Sequence, residues 1–381
     1  MRACGFPANN HTEVFMKIVS IEWGRVSIPL RTPFKTALRT VASVEDIIVK
    51  LTADTGDVGF GEAPPTGVIT GDTAEAICGA IEHHIAPAIL NQEIDDFEGV
   101  TGKVQSALVH NTSAKAAVDM ALWDLYGKKL NAPVFRLLGG GKTHIVTDIT
   151  VSVNPPEVMA RDAEIAIQRG FDCIKVKVGV NPALDVARLA AIRAAVPKET
   201  VLRIDANQAW TPKEAVRILN GMQEKGLDIE LVEQPVKAHD LEGLKYVTER
   251  SFVPVLADES VFSPMDAMKI LQMGAADLVN IKLMKCGGIT NALKITTLAE
   301  LYGAQCMIGC MLEGPVAVNA AAHLACAKGV ITKFDLDGPM LCAANPVHGG
   351  SRFEGKDIFM SEEPGLGVTA VDGVVPLGQV K

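Results

Sequence analysis

The fold is clearest between residues 173 and 285, where the chain reads CIKVKVG (173–179), VLRIDAN (201–207), ELVEQP (230–235), VPVLADES (253–260) and LVNIKLMK (278–285). Each run is largely apolar and carries polar or charged residues toward its end. Short apolar runs of this kind are typical of parallel strands buried on both faces. The runs begin 23 to 29 residues apart, which leaves room for one helix between successive strands.

The same pattern continues on both sides of this region. VTDITVSV (146–153) precedes it, and QCMIGCM (305–311) and KFDLDGP (333–339) follow it. Amphipathic segments such as PKEAVRILNGMQEKG (212–226) fit the intervals as helices. Eight successive strand–helix units predict an α/β fold with a (β/α)8-type barrel over residues 141–346, although the eighth helix is only weakly indicated.

The residues before the barrel follow another pattern. MKIVSIEWGRVSIPL (16–30) and VEDIIVKLTADTGDVGFGEA (44–63) alternate as antiparallel strands do, and helical patterns follow them. We therefore predict an α+β capping domain over residues 16–140, to which a Gly-rich tail at 347–381 returns. Residues 1–15 are interpreted as an N-terminal extension outside the fold.

Composition excludes several classes of partner. The chain has 381 residues and a net charge of −9, which disfavours nucleic acid and anionic membranes as partners. It contains no apolar run of the roughly 20 residues that a membrane span needs, and its start lacks a signal peptide core. The eight scattered cysteines are typical of buried thiols in a reducing compartment. We expect a cytoplasmic homo-oligomer that acts on a small molecule.

Three carboxylates interrupt successive strands where function is expected in a barrel, at the C-terminal ends. They are Asp205, Glu233 and Asp258. Any one of them alone is adequately explained as a cap of the following helix. Three from consecutive strands, without His or Cys, instead predict an oxygen-ligand site for Mg²⁺.

Three lysines accompany these acids. Lys175 and Lys177 are two apart on one strand and so point to the same side, whereas Lys282 lies four strands further round the barrel. A base on each face of one carbon is what a 1,1-proton transfer requires, with an enediolate stabilised by the metal. We expect burial and nearby cations to lower the lysine pKa values. The alternatives are lysines that act only as counter-ions, and a Schiff-base lysine in aldol chemistry.

Together these residues resemble the enolase superfamily, in its muconate-lactonizing subgroup. The resemblance covers the chain from about residue 16, and its motifs are KVKVG (175–179), IDANQ (204–208), VEQP (232–235), ADES (257–260) and NIKLMKCGG (280–288). It implies Lys177 and Lys282 as the acid/base pair, with Lys175 assisting.

Within the subgroup, the DLD sequence at Asp335 and Asp337 resembles the Asp-x-Asp motif of dipeptide epimerases, where two acids hold the substrate ammonium group. Two carboxylates two apart on a strand face the same cavity and suit a cation. A helix cap at the end of the strand is the alternative interpretation of this pair.

The segments PFKTALRTVASVEDI (33–47) and GEAPPTGVITGD (61–72) resemble the specificity loops of L-Ala-D/L-Glu epimerases. That resemblance puts at Arg39 the arginine that binds the glutamate side chain, with Lys35 able to share the role. Arginine offers the bidentate carboxylate contact that lysine cannot.

The resemblance also implies substrate contacts at Thr150 and Cys310, although Cys310 and the following MLEGP (311–315) depart from the close relatives, which have Ser at 310. The resemblance thus implies an isomerase that epimerises L-Ala-D-Glu and L-Ala-L-Glu, as in murein peptide recycling. O-succinylbenzoate synthase, N-succinylamino acid racemase and lactonizing activity remain alternatives on the same site, and a non-catalytic binding protein on the same fold is a third.

Overall fold

The computed structural model describes residues 15–35 and 40–381. Its first element is an antiparallel sheet formed by β1 (Ile18–Lys35), β2 (Thr40–Ala53) and β3 (Val58–Ala63). Buried and exposed residues alternate along much of β1, because one face of the sheet is covered and the other faces solvent.

Helices cover that sheet. They are α1 (Ala74–Ala80), which runs through a π-helical turn (Ile81–Ile85) into α2 (Ala86–Ile89), then α3 (Phe97–Ser106), α4 (Thr112–Lys129) and α5 (Val134–Leu137). Helix α4 is buried on nearly all sides, since it lies between the sheet and the barrel.

The barrel follows in the predicted order. A short strand outside its sheet, β4 (His144–Val146), precedes it. Its elements are β5 (Ile149–Val151), α6 (Pro156–Gln168), β6 (Cys173–Lys177), α7 (Pro182–Ala195), β7 (Val201–Asp205), α8 (Pro212–Glu224), β8 (Ile229–Glu233), α9 (Leu241–Arg250), β9 (Val255–Ala257), α10 (Pro264–Met273), β10 (Leu278–Ile281), α11 (Leu283–Cys286), α12 (Ile289–Tyr302), β11 (Gln305–Gly309), α13 (Pro315–Ala327), β12 (Ile331–Asp335) and α14 (Gly338–Leu341). Within residues 15–35 and 40–381, no helix is both long and apolar enough to cross a bilayer.

Strands β5 to β12 form one parallel sheet in sequential order, which confirms the predicted barrel fold. The first and last strands meet through a hydrogen bond from the Asp148 N–H to the Phe334 carbonyl, at 3.3 Å. The eighth helix, α14, is a single turn, as its weak sequence signal suggested. Four apolar side chains fill the barrel interior below the strand ends: Leu231, Leu256, Leu278 and Met307.

Five short strands end the chain: β13 (Val347–Gly349), β14 (Arg352–Glu354), β15 (Asp357–Phe359), β16 (Val368–Val371) and β17 (Val375–Val380). Strand β17 pairs with β1 and so adds a fourth strand to the N-terminal sheet. Strand β15 pairs with β4 beside the first barrel strand. The C-terminal segment therefore ties the N-terminal unit to the barrel.

Strand β3 and helix α4 approach each other so closely that only glycine fits at the contact. A Cβ atom on Gly61 would lie 1.8 Å from the carbonyl oxygen of Ala117, and one on Gly59 would lie 2.2 Å from that of Ala121. The close approach brings the N-terminal sheet down onto the helix that faces the barrel.

We predict that Gly61→Ala lowers stability by about 1–3 kcal/mol, because the methyl group would overlap backbone that cannot move aside. Gly79→Ala in α1 is the matched control, since no atom lies within 4 Å of its added Cβ, and we expect it to gain roughly 0.5–1 kcal/mol. Thermal unfolding followed by circular dichroism measures both. Equal melting temperatures for the two variants would contradict the close contact.

Candidate active site

A cleft opens at the C-terminal ends of the barrel strands and is closed on one side by the N-terminal unit. Its polar floor includes Lys175, Lys177, Lys282, Asp335 and Asp337 from the barrel. Its apolar rim comes from both parts of the chain and consists of Phe34, Val68, Ile69, Met311, Leu312 and Leu341. Charged groups therefore meet in a cleft with little access to water.

The three acids predicted as metal ligands lie beneath this floor and are almost fully buried. Asp205 and Glu233 end β7 and β8 and are direct partners in the strand register. Asp258 follows β9 and stands two residues beyond Leu256, the register partner of Glu233. It therefore lies two residues further toward the C-terminal mouth of the barrel than Glu233 does.

Each acid forms an ion pair with a lysine of the cleft. The Lys177 Nζ lies 2.6 Å from an Asp205 carboxylate oxygen, and the Lys282 Nζ lies 2.7 Å from an Asp258 oxygen. Lys175 Nζ lies 2.6 Å from Glu233 and 3.3 Å from Asp205, so it bridges two acids. Buried charges are tolerated because they neutralise one another.

These neighbours set the pKa values of the acids in opposite directions. Burial, followed by the negative charge of Asp205, raises the pKa of Glu233 to about 8. Burial also acts to raise the pKa of Asp205, but the ammonium groups of Lys177, Lys175 and Lys282 together outweigh it and hold that pKa at about 2. The acids are thus close enough for their charges to repel each other.

The lysine pKa values differ from the expectation. Burial acts to lower the pKa of Lys282, but the carboxylates of Asp258 and Glu233 outweigh it and raise that pKa above its ordinary value. The same opposition raises the pKa of Lys175. The prediction of lowered values was wrong for these two lysines because it considered burial and cations but not the nearer acids.

The donor set fits a hard divalent cation. It is built from carboxylate oxygens, and two further buried oxygens beside it, Asn207 Oδ1 and Glu259 Oε2, have no hydrogen-bond partner. As the side chains of the described residues stand, no three His, Cys, Asp or Glu groups are gathered into a cluster that could hold a metal. Because Lys175 and Lys282 each contact two of the acids, a cation would compete with them for the same oxygens.

The Asp-x-Asp pair lies at the other end of the floor. Asp335 accepts a hydrogen bond from Lys175 Nζ at 2.7 Å, whereas Asp337 accepts one from the Thr150 backbone N–H at 2.7 Å. Burial, with the Asp335 charge second, raises the pKa of Asp337 to about 6. Cys310 lies beside this pair, with its Sγ 4.0 Å from an Asp337 oxygen.

Arg39 and Lys35 are the two residues that the sequence suggested for binding the glutamate side chain. Arg39 lies outside the described residues. Lys35 is exposed at the end of β1, and its backbone N–H donates to Ser152 Oγ at 3.1 Å. Lys35 therefore stands at the rim of a side groove that meets the cleft near Thr150.

Sequence reasoning assigned no role to two buried residues that hold the acids. Lys285 Nζ contacts an Asp258 oxygen and also the Asn280 carbonyl. The Asn280 side chain donates to Glu233 at 2.8 Å. The available signal was Asn280, a polar residue within the buried strand β10, where a side-chain amide needs a hydrogen-bond partner.

Comparisons with known proteins agree over nearly the whole chain. Residues 19–139 match the family model described as mandelate racemase / muconate lactonizing enzyme, N-terminal domain, and residues 158–373 match that of the enolase C-terminal domain-like family. The chain is 56% identical to an L-Ala-D/L-Glu epimerase of Clostridium acetobutylicum, over 94% of this chain and 100% of that protein.

Two solved structures are similar as well. A substrate-liganded complex of the L-Ala-D/L-Glu epimerase from Bacillus subtilis superposes with a TM-score of 0.92 at 48% identity, covering 94% of this chain and 99% of that one. A dipeptide epimerase from Enterococcus faecalis, complexed with Mg and the dipeptide L-Leu-L-Tyr, gives 0.90 at 42% identity, covering 93% and 100%.

Proposed function

This chain belongs to the mandelate racemase / muconate lactonizing enzyme family of the enolase superfamily, and we propose that it is an L-Ala-D/L-Glu epimerase. It would invert the Cα of the C-terminal residue of the dipeptide. The observation that carries the proposal is the pair Lys177 and Lys282, which reach one cleft from strands four apart. The names of the relatives from Clostridium acetobutylicum and Bacillus subtilis support the same reaction and substrate.

Asp205, Glu233 and Asp258 would hold Mg²⁺, the metal present in the dipeptide complex of the Enterococcus faecalis protein. When bound, the ion supplies positive charge to the substrate carboxylate, which makes the neighbouring Cα–H more acidic. With the ion held there, Lys175 and Lys282 would share these acids with it and would lose part of the negative charge that raises their pKa values.

The lysines carry the proton. One ammonium must first lose its proton to act as a base and remove the Cα–H on its own side. The opposite lysine, still protonated, then donates to the other face of the carbon. Both Nζ atoms belong to nearly buried side chains, which keeps water from returning the proton without stereochemical control.

The two ends of the dipeptide need different partners. The ammonium group fits Asp337 and Asp335, whose buried carboxylates border the cleft and attract a cation. The glutamate side chain would pair with Arg39, on the strength of the sequence resemblance alone. N-succinylamino acids and lactone precursors carry no ammonium group, so they would leave Asp337 unmatched.

We predict that the wild-type protein with Mg²⁺ in D₂O both inverts and deuterates L-Ala-L-Glu at Cα. Lys177→Ala and Lys282→Ala should each reduce inversion by at least about 100-fold, because each removes one proton-transfer group. Each variant should still exchange deuterium into one epimer without inverting it, and the two variants should label opposite epimers. Stereoisomer-resolved mass spectrometry and NMR measure this. If the wild-type protein left the substrate free of deuterium, the proposed epimerase activity would be excluded.

Asp337→Asn should lower kcat/KM for L-Ala-L-Glu by about 10- to 100-fold, since a charged hydrogen bond contributes roughly 1.5–3 kcal/mol. N-acetyl-L-Ala-L-Glu, which lacks the ammonium group, should be turned over no worse by the variant than by the wild type. Asp372→Asn is the control, because Asp372 is exposed. Equal losses on both substrates would show that Asp337 does not recognise the ammonium group.

Arg39→Ala should reduce kcat/KM for L-Ala-L-Glu about 10- to 100-fold while L-Ala-L-Leu is unaffected, because only glutamate offers a side-chain carboxylate. Arg31→Ala, an exposed arginine of β1, should leave both substrates unchanged. Parallel epimerisation rates on the two dipeptides isolate the specificity effect. A loss of the same size for both would refute the role of Arg39.

A further inference from the structure

Lys177 and Lys282 are each followed by a short loop. The backbone of that loop positions the Cα atom from which the lysine side chain extends. Lys282 is extended, and the single turn α11 follows it directly. Gly287 and Gly288, both with positive φ, then lead into α12. The Gly287 and Gly288 N–H groups both donate to the Leu283 carbonyl, so the loop is tightly wound.

Side chains of the N-terminal unit form hydrogen bonds with this loop, residues 282–290. Asp119 of α4, fully buried, accepts the Thr290 backbone N–H at 3.1 Å. Gln105 of α3 donates from Nε2 to the Gly287 carbonyl at 2.6 Å and accepts from the Asn291 side chain at 2.9 Å. The loop after Lys282 is therefore anchored to α3 and α4, outside the barrel.

Asp119 supplies what α12 lacks. The residue before α12 is Gly288, which has no side chain to accept the first N–H groups of the helix. The Asp119 side chain takes that place from another element, because its oxygen accepts the Thr290 N–H near the start of the helix. A Cβ on Gly288 would lie 2.3 Å from an Asp119 oxygen, which shows how closely the two segments meet.

The loop after Lys177 is held differently. The Gly179 N–H donates to both oxygens of Asp185, at 3.1 and 3.3 Å. Asp185 is in turn fixed by Trp210 Nε1 at 3.1 Å and by Arg188 at 2.7 Å. All four residues belong to the barrel, so the N-terminal unit takes no part in these contacts.

We infer that Asp119 and Asp185 are positioning residues for proton transfer at opposite faces of the substrate carbon. Asp119 acts on Lys282, and Asp185 acts on Lys177. The inference rests on the proposed two-lysine epimerisation. Asp119 touches neither substrate nor the reacting atoms; it acts through the backbone of residues 282–290. The N-terminal unit thereby controls proton transfer at one face of the substrate carbon only.

Deuterium exchange at the substrate Cα without inversion measures proton transfer at each face of that carbon separately. Inversion requires both lysines, and the equilibrium between the epimers fixes the ratio of its forward and reverse kcat/KM. A misplaced Lys282 therefore slows inversion in both directions alike. Deuterium exchange with retention needs one lysine, so its rate from each epimer measures that lysine alone. A displacement of about 1 Å is sufficient to reduce a rate about 100-fold.

The experiment compares the initial rate of deuterium exchange into each epimer of L-Ala-Glu, with Mg²⁺, for Asp119→Ala and Asp185→Asn. Lys177→Ala defines the reference, because the epimer that it still labels faces Lys282. We expect Asp119→Ala to slow exchange of that epimer by at least about tenfold and to leave the other within about threefold. Asp185→Asn should show the reverse preference. Asp119→Asn, which keeps an oxygen acceptor, should restore most of the lost rate.

Gln105→Ala is the second variant, because Gln105 is only partly buried and its loss disturbs packing less than the loss of the fully buried Asp119. It should shift the exchange ratio in the same direction as Asp119→Ala, by a smaller factor. Equal slowing of both epimers in Asp119→Ala and an unchanged ratio in Gln105→Ala would overturn the inference. If Lys177→Ala and Lys282→Ala themselves fail to label opposite epimers, the proposed function fails instead.

Discussion

The structure depends on the mutual neutralisation of buried charges at the mouth of the barrel. Four ammonium groups and four carboxylates meet there with almost no exposure to water: Lys175, Lys177, Lys282, Lys285, Asp205, Glu233, Asp258 and Asp335. Removing Asp205 would take away the ion-pair partner of Lys177, and removing Asp258 would take away that of Lys285, each at a cost of roughly 3–5 kcal/mol for a buried pair. These charge pairs thus join the strand ends above the apolar side chains that fill the barrel interior.

The same ion pairs also determine the protonation state of lysines in the cleft. The acids hold the lysines in their protonated form, as the raised pKa values of Lys175 and Lys282 indicate. If the acids also held the proposed divalent cation, Lys175 and Lys282 would share these oxygens with it. Coupling of metal binding to lysine basicity follows from the proximity of the two sets of groups.

The N-terminal unit contributes more than a lid over the cleft. Glu62 and Asp46, from β3 and β2, accept the backbone N–H groups of Ala317 and Gly314 at the start of α13. Asp119 does the same at the start of α12. Both helices follow a glycine that cannot cap them, so the barrel depends on the N-terminal unit for the order of two loops that border the cleft.

Local patterns were sufficient for the barrel, the family and the residue types of the candidate site, because strand burial and strand-end polarity repeat every 23 to 29 residues. They placed Lys177 and Lys282 four strands apart, since parallel strands follow one another in order round a barrel. They did not reveal the ion pairs that raise the lysine pKa values, or that Lys285 and Asn280 support the acids. Nor did they reveal that Asp119 reaches across from α4 to α12. Those contacts join residues up to 171 positions apart, and only the packing of distant segments brings such groups within hydrogen-bond distance.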